Sequence, residues 1–503
     1  MFLNHQTDIL IIGSGIGGST MAAGLAPSGL NILILECGIQ LPDSPINQDQ
    51  DQIFSEQYFK PNEEWFDKDK QAFKPGNYYY VGGNSKFFGA VLTRYRKEDF
   101  LEMAHEGGTS PAWPFTYEAF EPWYTRAEAL FKVRGDDKFD PTEPYHSTQY
   151  PYKAIEDETA IKVVKEQLTA QGLHPYPLPL AIDIEQWRQT RKVPWDAHPH
   201  FFNGKIDAET GPLAQAIQYK NVRLQTNSKV IHLKTSPTTN RIEEVIYTHH
   251  DELQSIRPKL VILSAGAIHS AALLLRSKNQ NNPAGLSNSS GMVGRNFMNH
   301  NCSAIIGFNH RYKNDAIYSK TFGINDFYLN DGAGGLPLGN IQLLGKVSGK
   351  ILKSNMPFIP SFALDYFSRH SIDFYAMSED LPSPDNRVYV EDDKINLVWE
   401  RNNWSAHQKL VHKFSAILKD CGFYFVLNQP FDKRTPSHQC GTIRMGNNPK
   451  DSALDTYCRS YDHDNLYVVD ASFFPSSAAV NPALTIAAQA LRVSHHILST
   501  SPF

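Results

Sequence analysis

The sequence predicts an α/β fold in which a parallel-sheet domain, assembled from discontinuous segments, carries an inserted α+β domain based on an antiparallel sheet. Three observations predict it. Continuous apolar runs, the pattern of strands buried on both faces, occur at Ile9–Ile12, Ile32–Leu35 and Leu260–Leu263, and again at Leu466–Val469. A helix-like stretch, Ser19–Leu25, separates the first two, so residues 9–36 read as one βαβ unit. Residues 110–205 and 300–430 instead carry aromatics and short alternating runs, the signature of antiparallel strands with covering helices.

Taken in order, Ile9–Ile12 is a strand and Gly13-Ser14-Gly15-Ile16-Gly17-Gly18 a turn into the helix Ser19–Leu25. The second strand ends at Glu36. Residues 40–80 mix Asp, Glu, Gln, Pro and aromatics without periodicity and predict a solvent-facing excursion or lid. Tyr78-Tyr79-Tyr80 reads as packing ahead of a Gly-Gly turn. Val222–Thr226 and Leu260–Ser264 are further strands, the latter running through Ala265-Gly266-Ala267 into an apolar helix, Ala271–Arg276. Val388–Val390 and Ile395–Trp399 alternate and belong to the predicted antiparallel sheet. Leu466–Val469 is the last strand, and a long helix starts at Pro482. The boundaries that follow are 1–100, 205–300 and 455–503 for the first domain, with 101–204 and 301–454 for the second.

Length and composition narrow the function. A chain of 503 residues is too long for one ordinary core and implies two domains. With 41% hydrophobic and 20% charged residues and a formal net charge of −5, it offers no basic surface for nucleic acid or an anionic membrane. Five scattered cysteines without close spacing argue against a disulfide framework or zinc cluster and for a reducing compartment. The first residues lack a basic start, a long apolar run and a cleavage site, which predicts a cytoplasmic protein without a membrane span. No metal site is predicted: His198 and His200 flank a proline and have no further spaced ligands, so they read as a loop.

Gly13, Gly15 and Gly18 lie between a strand and a helix, the context that makes this spacing a dinucleotide fingerprint. The first glycine permits the tight turn, the second lets backbone approach a pyrophosphate, and the third allows close helix–strand packing. The helix N-terminus offers unpaired N–H groups to the phosphates. Glu36 ends the second strand, where an acid binds ribose hydroxyls. The fingerprint does not separate FAD from NAD, although the acid disfavours NADP.

Two further segments carry a resemblance. Val81-Gly82-Gly83-Asn84-Ser85-Lys86-Phe87-Phe88-Gly89-Ala90 resembles the Gly-Gly-x-Ser signature of the glucose–methanol–choline oxidoreductases. His438–Gly446, Leu466–Ser472 and Asn481–Thr485 resemble that family's closing motif, and Ala265–Leu274 its second signature. The matches run in order along the whole chain, while residues 100–220 and 300–430 show none. The resemblance implies a Rossmann-like FAD-binding domain and a separate substrate domain. It implies that His438 and Asn481 face the reactive ring of FAD, and that Gly82, Gly83 and Ser85 contact the cofactor. Asp470 and Ala471 are placed near the pyrophosphate and ribityl chain, Val230 at the adenine, and Pro482 and Thr485 at the cofactor end of the last helix. Members that tie FAD covalently carry a histidine just after the motif serine. Here Lys86-Phe87-Phe88 stands instead, so FAD is expected to be non-covalent. Phe88 takes a place where many relatives carry asparagine, which leaves oxygen reactivity open.

Oxidising C–OH to C=O removes a hydride from carbon and a proton from oxygen, so the protein must supply a base. His438 is the candidate, and a histidine with its ordinary pKa of ~6.5 predicts a step in rate near that pH. Asn481 precedes Pro482 and has two roles open to it: capping the last helix or hydrogen-bonding the substrate oxygen. The helix start would also stabilise negative charge developing on the reduced cofactor. Cys440 reads as a small buried residue. The expected activity is FAD-dependent oxidation of a primary or secondary alcohol, a sugar, glycoside or similar polyol, with oxygen or a carrier as electron acceptor. A lyase on the same fold and a non-catalytic flavin-binding protein are the alternatives.

Overall fold

The structure is a computed structural model and describes residues 7–190, 193–200, 204–435 and 438–500. It is a mixed α/β molecule. Five parallel strands form one sheet in the order Val222–Gln225, Ile32–Leu35, Thr7–Ile12, Pro258–Leu263, Leu466–Val468. Its central strands are apolar because both faces are covered: Ile9, Leu10, Ile11, Ile34, Leu260 and Ile262 are fully buried. The helix Ile16–Leu25 lies on this sheet and crosses the C-terminal helix Ala483–Thr500 closely. A Cβ at Gly24 would come within 2.2 Å of the Ser494 hydroxyl, so small residues set that crossing.

A second sheet of six antiparallel strands runs in the order Phe425–Pro430, Asn301–Phe308, Ser371–Ser378, Asn340–Leu343, Phe322–Ile324, Tyr176–Pro177. The helix Trp404–Asp420 covers one face, where Leu410, Phe414 and Leu418 pack with Ile305, Phe322 and Phe374. Side chains alternate across a strand, so Ala304, Ile306 and Tyr375 point the other way, into a large cavity between the two sheets.

Several sequence expectations are corrected. Residues 40–80 are not simply solvent-facing: Leu41, Ile53 and Phe59 form a buried cluster with Phe87, and Trp65 is fully buried. The alternating runs near 388–398 do form a hairpin, Arg387–Glu391 with Lys394–Val398, but outside the six-stranded sheet. It pairs with Trp65–Phe66 and packs on Ile268 and Ala272 of the helix Ala267–Arg276, which begins four residues earlier than the sequence indicates. The last helix begins at Ala483. No helix among the described residues is long and apolar enough to cross a membrane.

Candidate active site

The cavity measures ≈ 1290 Å³ and runs from the carboxyl ends of the parallel strands to the antiparallel sheet. Of the residues singled out in the sequence, Gly13, Gly15, Glu36, Gly82, Gly83, Ser85, Val230, His438, Asp470, Ala471, Asn481 and Pro482 all line it. Gly18 and Thr485 do not. A Cβ at Gly18 would lie 2.0 Å from the Gly13 carbonyl oxygen, so this glycine serves helix–turn packing. The Thr485 hydroxyl is turned away, 2.8 Å from the Tyr124 hydroxyl, leaving its backbone N–H as its only contribution to the helix start. The first backbone bond of that helix runs from Ile486 N–H to the Pro482 carbonyl at 3.0 Å, so the N–H groups before it lack intrahelical acceptors.

At the far end the glycine turn is shaped for a close visitor. Gly13 has φ +97°, and a Cβ there would strike the Ser264 carbonyl oxygen at 2.4 Å. The helix Ile16–Leu25 has no side-chain cap and no acid in its first turn, so its leading N–H groups face the cavity unneutralised. Glu36 is 5% exposed; its Oε2 accepts from Ser14 N–H (3.0 Å) and Oγ (2.6 Å), and its Oε1 from Gly38 N–H (2.8 Å). It therefore holds the turn as well as lining the cavity. Ser14 Oγ in turn accepts from Gly82 N–H at 3.1 Å, which joins the two glycine motifs. Ser85 Oγ donates to the Gly82 carbonyl (2.6 Å) and accepts from Ala208 N–H (3.1 Å), so its hydroxyl closes the Gly-Gly turn. The Asp470 carboxylate is likewise occupied, accepting from Gly266 N–H (3.0 Å), Ser472 N–H (2.8 Å) and the Ser270 and Ser472 hydroxyls. Burial raises its pKa.

Lys86 is fully buried between Asp207 (3.0 Å) and Glu209, and Phe87 stacks on Tyr78 with ring centroids 3.7 Å apart. His198 lies on the cavity wall, its Nδ1 2.9 Å from the Asp196 carbonyl oxygen, and His200 packs on Trp187. Cys440 is buried and its backbone pairs with Met298.

At the reactive end His438 sits at φ +66°, a strained conformation for a non-glycine residue. Its Nδ1 is 2.9 Å from His300 Nδ1, and its Nε2 is 3.3 Å from Asn481 Nδ2. His300 Nε2 lies 3.0 Å from the Ser477 carbonyl oxygen, which can only accept. Asn481 Oδ1 accepts from Gln342 Nε2 at 3.1 Å. Asn481 thus spends its side chain on His438 and Gln342 and does not cap the last helix. The pKa of His438 is pushed well below 6.5, first by desolvation and then by the charges of His300 and Lys320. Although the ring faces the open cavity, protein surrounds it deeply enough for desolvation to dominate. Burial likewise lowers the His300 pKa to about 4. The ionisation of His438 is therefore displaced below pH 6.5.

These values fix the tautomers. Neutral His300 carries its proton on Nε2, donating to Ser477, so its Nδ1 is an acceptor. His438 must then donate from Nδ1, which leaves Nε2 an acceptor, with Asn481 Nδ2 as its donor. His300 and Gln342 are absent from the sequence reading; the only hint is the polar Asn299-His300-Asn301 directly before an apolar strand.

Sequence models of the GMC oxidoreductase family match residues 188–302 and 382–490. The chain is 26% identical to 6'''-hydroxyparomomycin C oxidase of Streptomyces lividus, covering 98% of this chain and 91% of that one. It is 28% identical to 2-methyl-1,2-propanediol dehydrogenase of Mycolicibacterium austroafricanum, with 98% and 95% covered. Against the fructose dehydrogenase large subunit of Gluconobacter japonicus the identity is 26%, with 98% of each chain covered. The fold is similar to that of pyridoxine 4-oxidase from Mesorbium loti, with a TM-score of 0.68 at 16% identity over 98% of this chain and 99% of that one. The chain belongs to the GMC oxidoreductase family. It is accordingly an FAD-dependent oxidoreductase acting on CH–OH groups, and the cradle of glycines and uncapped helix N-terminus fits that cofactor.

Proposed function

We propose that the chain oxidises a hydroxyl of a sugar, glycoside or other polyol, with His438 as the base and Asn481 as the donor that holds the substrate oxygen. The observation that carries this reading is the one-way hydrogen-bond chain through Ser477, His300 and His438, which leaves the Nε2 lone pair beside Asn481 at the cavity. A substrate hydroxyl lying between the two side chains donates its proton to Nε2 and accepts from Asn481 Nδ2. Gln342 keeps the asparagine amide facing the right way. His300 is a positioning residue: it holds His438 in the Nδ1–H form before the proton moves and keeps that bond afterwards. Desolvation makes the resulting imidazolium a strong acid, so the proton is released again and the base is restored. Bound in the cavity, FAD supplies the acceptor for the hydride leaving carbon.

Non-covalent FAD is supported by Lys86 and Phe87 being committed to Asp207, Glu209 and Tyr78, with no histidine after Ser85. The parallel sheet is the proposed cofactor domain, and the cavity-facing side of the antiparallel sheet the proposed substrate wall. The hydroxyl-rich molecules named for the relatives point the same way. The test is an anaerobic screen in which polyols and glycosides are mixed with the yellow protein and flavin bleaching is followed. Bleaching by a member of that class supports the reading; no bleaching across the screen overturns it.

A further inference from the structure

The cavity wall also carries an ion pair that the proton chemistry does not use. Lys320 Nζ is 2.8 Å from Asp196 Oδ2, and the two side chains are only 7% and 16% exposed. Asp196 Oδ2 also accepts from Gly345 N–H at 3.1 Å, while Oδ1 takes no bond among the described residues. Lys320 donates to Asp196 alone among the described residues, and its Nζ stands 5.8 Å from the centre of the Tyr375 ring. The pair therefore presents to the cavity both unspent N–H donors and an unspent carboxylate oxygen.

Its position is built. A Cβ at Gly89 would lie 2.8 Å from Asp196 Oδ1 and 2.9 Å from Lys320 Nζ, and one at Gly345 would lie 2.7 Å from the Asp196 Cβ. Two glycines thus admit the pair against the Gly82–Gly89 segment on one side and the antiparallel sheet on the other. Tyr375, beneath the ammonium, is the cross-strand partner of Gln342, which holds Asn481. The charge of Lys320 reaches His438. The pair and the catalytic residues line the same cavity.

Resting on the alcohol-oxidation reading above, we propose that Asp196 and Lys320 form a subsite that reads a second hydroxyl of the substrate, next to the one oxidised. The ammonium donates to that hydroxyl oxygen and the carboxylate accepts its proton, so the pair is satisfied by a neutral vicinal diol or sugar ring. A monoalcohol leaves the unspent Lys320 donors and Asp196 Oδ1 without a substrate partner, the situation in which a polar site rejects an analogue most strongly. An anionic substrate gains little, because Asp196 already neutralises Lys320.

The experiment is calorimetric titration of oxidised holoenzyme with matched pairs, cyclohexanol against cyclohexane-1,2-diol and 1-hexanol against D-sorbitol, alongside anaerobic flavin reduction. In the parent each polyol should bind at least about ten-fold tighter than its monoalcohol. In Asp196→Asn, and in Asp196→Asn with Lys320→Met, which leaves no unpaired charge, that preference should fall to about two-fold or less. Full FAD content shows that each variant is folded. Equal binding of diol and monoalcohol in the parent, a preference that survives in both variants, or no binding by any of the four overturns the subsite. Preferential polyol binding without flavin reduction would instead sink the oxidation reading and leave the subsite standing.

Discussion

Replacing His300 by leucine tests the proton geometry directly. The substitution removes the acceptor 2.9 Å from His438 Nδ1 and leaves that N–H without a partner. An unsatisfied donor in such a setting costs about 1–3 kcal/mol. If that cost falls on the transition state, reduction slows by about 5- to 150-fold, at about 1.4 kcal/mol per power of ten. The pH dependence gives a second, sharper readout. His438 must be neutral to accept a proton, so activity is complete above its pKa and lost as pH falls through it. Burial depresses that pKa in the parent, which predicts a flat rate from about pH 9 to below the ordinary histidine value of ~6.5. Without the His300 acceptor the protonated ring loses a hydrogen bond that favours it, so the pKa falls further and the acid limb should shift to lower pH. His300→Gln, whose amide oxygen can accept from Nδ1, should recover most of the rate. The assay is anaerobic stopped-flow bleaching of the flavin across pH. A leucine variant with the parent's rate and the parent's pH profile would refute the tautomer argument.

Other substitutions follow from the same geometry. His438→Ala should leave a folded yellow protein whose reduction is slower by ~10²–10⁴-fold, measured by the same bleaching. Asn481→Ala should slow reduction too, but stability should fall only by the ~1 kcal/mol of the lost Gln342 hydrogen bond, since no helix cap is lost. Glu36→Ala should weaken FAD binding by ~1.5–3 kcal/mol, about one to two powers of ten, and also lower the melting temperature because three bonds from Ser14 and Gly38 go with it; unchanged FAD retention would make Glu36 a bystander. Acid precipitation should leave the yellow colour in the supernatant, whereas colour in the pellet would exclude non-covalent binding.

What the sequence reveals and conceals follows from how far apart the interacting residues lie. The βαβ unit, the glycine turn and Glu36 are legible because each signal is complete within about 30 residues of chain. His438 and Asn481 are legible only through motif resemblance. Their partners are not: His300 is 138 positions from His438, and Gln342 is 139 from Asn481. Nothing local in Asn340–Leu343 marks the glutamine as functional, since a strand residue facing a cavity looks like one facing solvent. Asn481 before Pro482 is a true local capping signal, but two long-range hydrogen bonds outcompete it. The hairpin at 387–398 shows the complementary limit: alternation predicts strands, while the choice of partner strand depends on tertiary packing.

A buried amine ties the segment after Ser85 to the loop that carries Asp196 and His198. Lys205 Nζ donates to the backbone carbonyls of Lys86 (3.2 Å), Phe88 (3.1 Å) and His198 (2.7 Å). Burial lowers its pKa to about 7, while the three carbonyls engage all three donors of the ammonium form, one more than a neutral amine has. Those carbonyls belong to the segment after Ser85 and to the loop carrying Asp196 and His198. Lys205 therefore sets the spacing between the proposed cofactor contacts and the loop that carries Asp196. Its removal acts on both at once. Lys205→Met should cost several kcal/mol of stability and so lower the melting temperature, since each stranded carbonyl costs about 1–3 kcal/mol, and should loosen FAD retention although Lys205 is not among the cavity-lining residues. Asp196→Asn, on the same loop, should leave FAD in place. A Lys205→Met protein that melts and holds FAD like the parent would show that the segment and the loop are positioned independently, and that the glycine motifs alone shape the cofactor end.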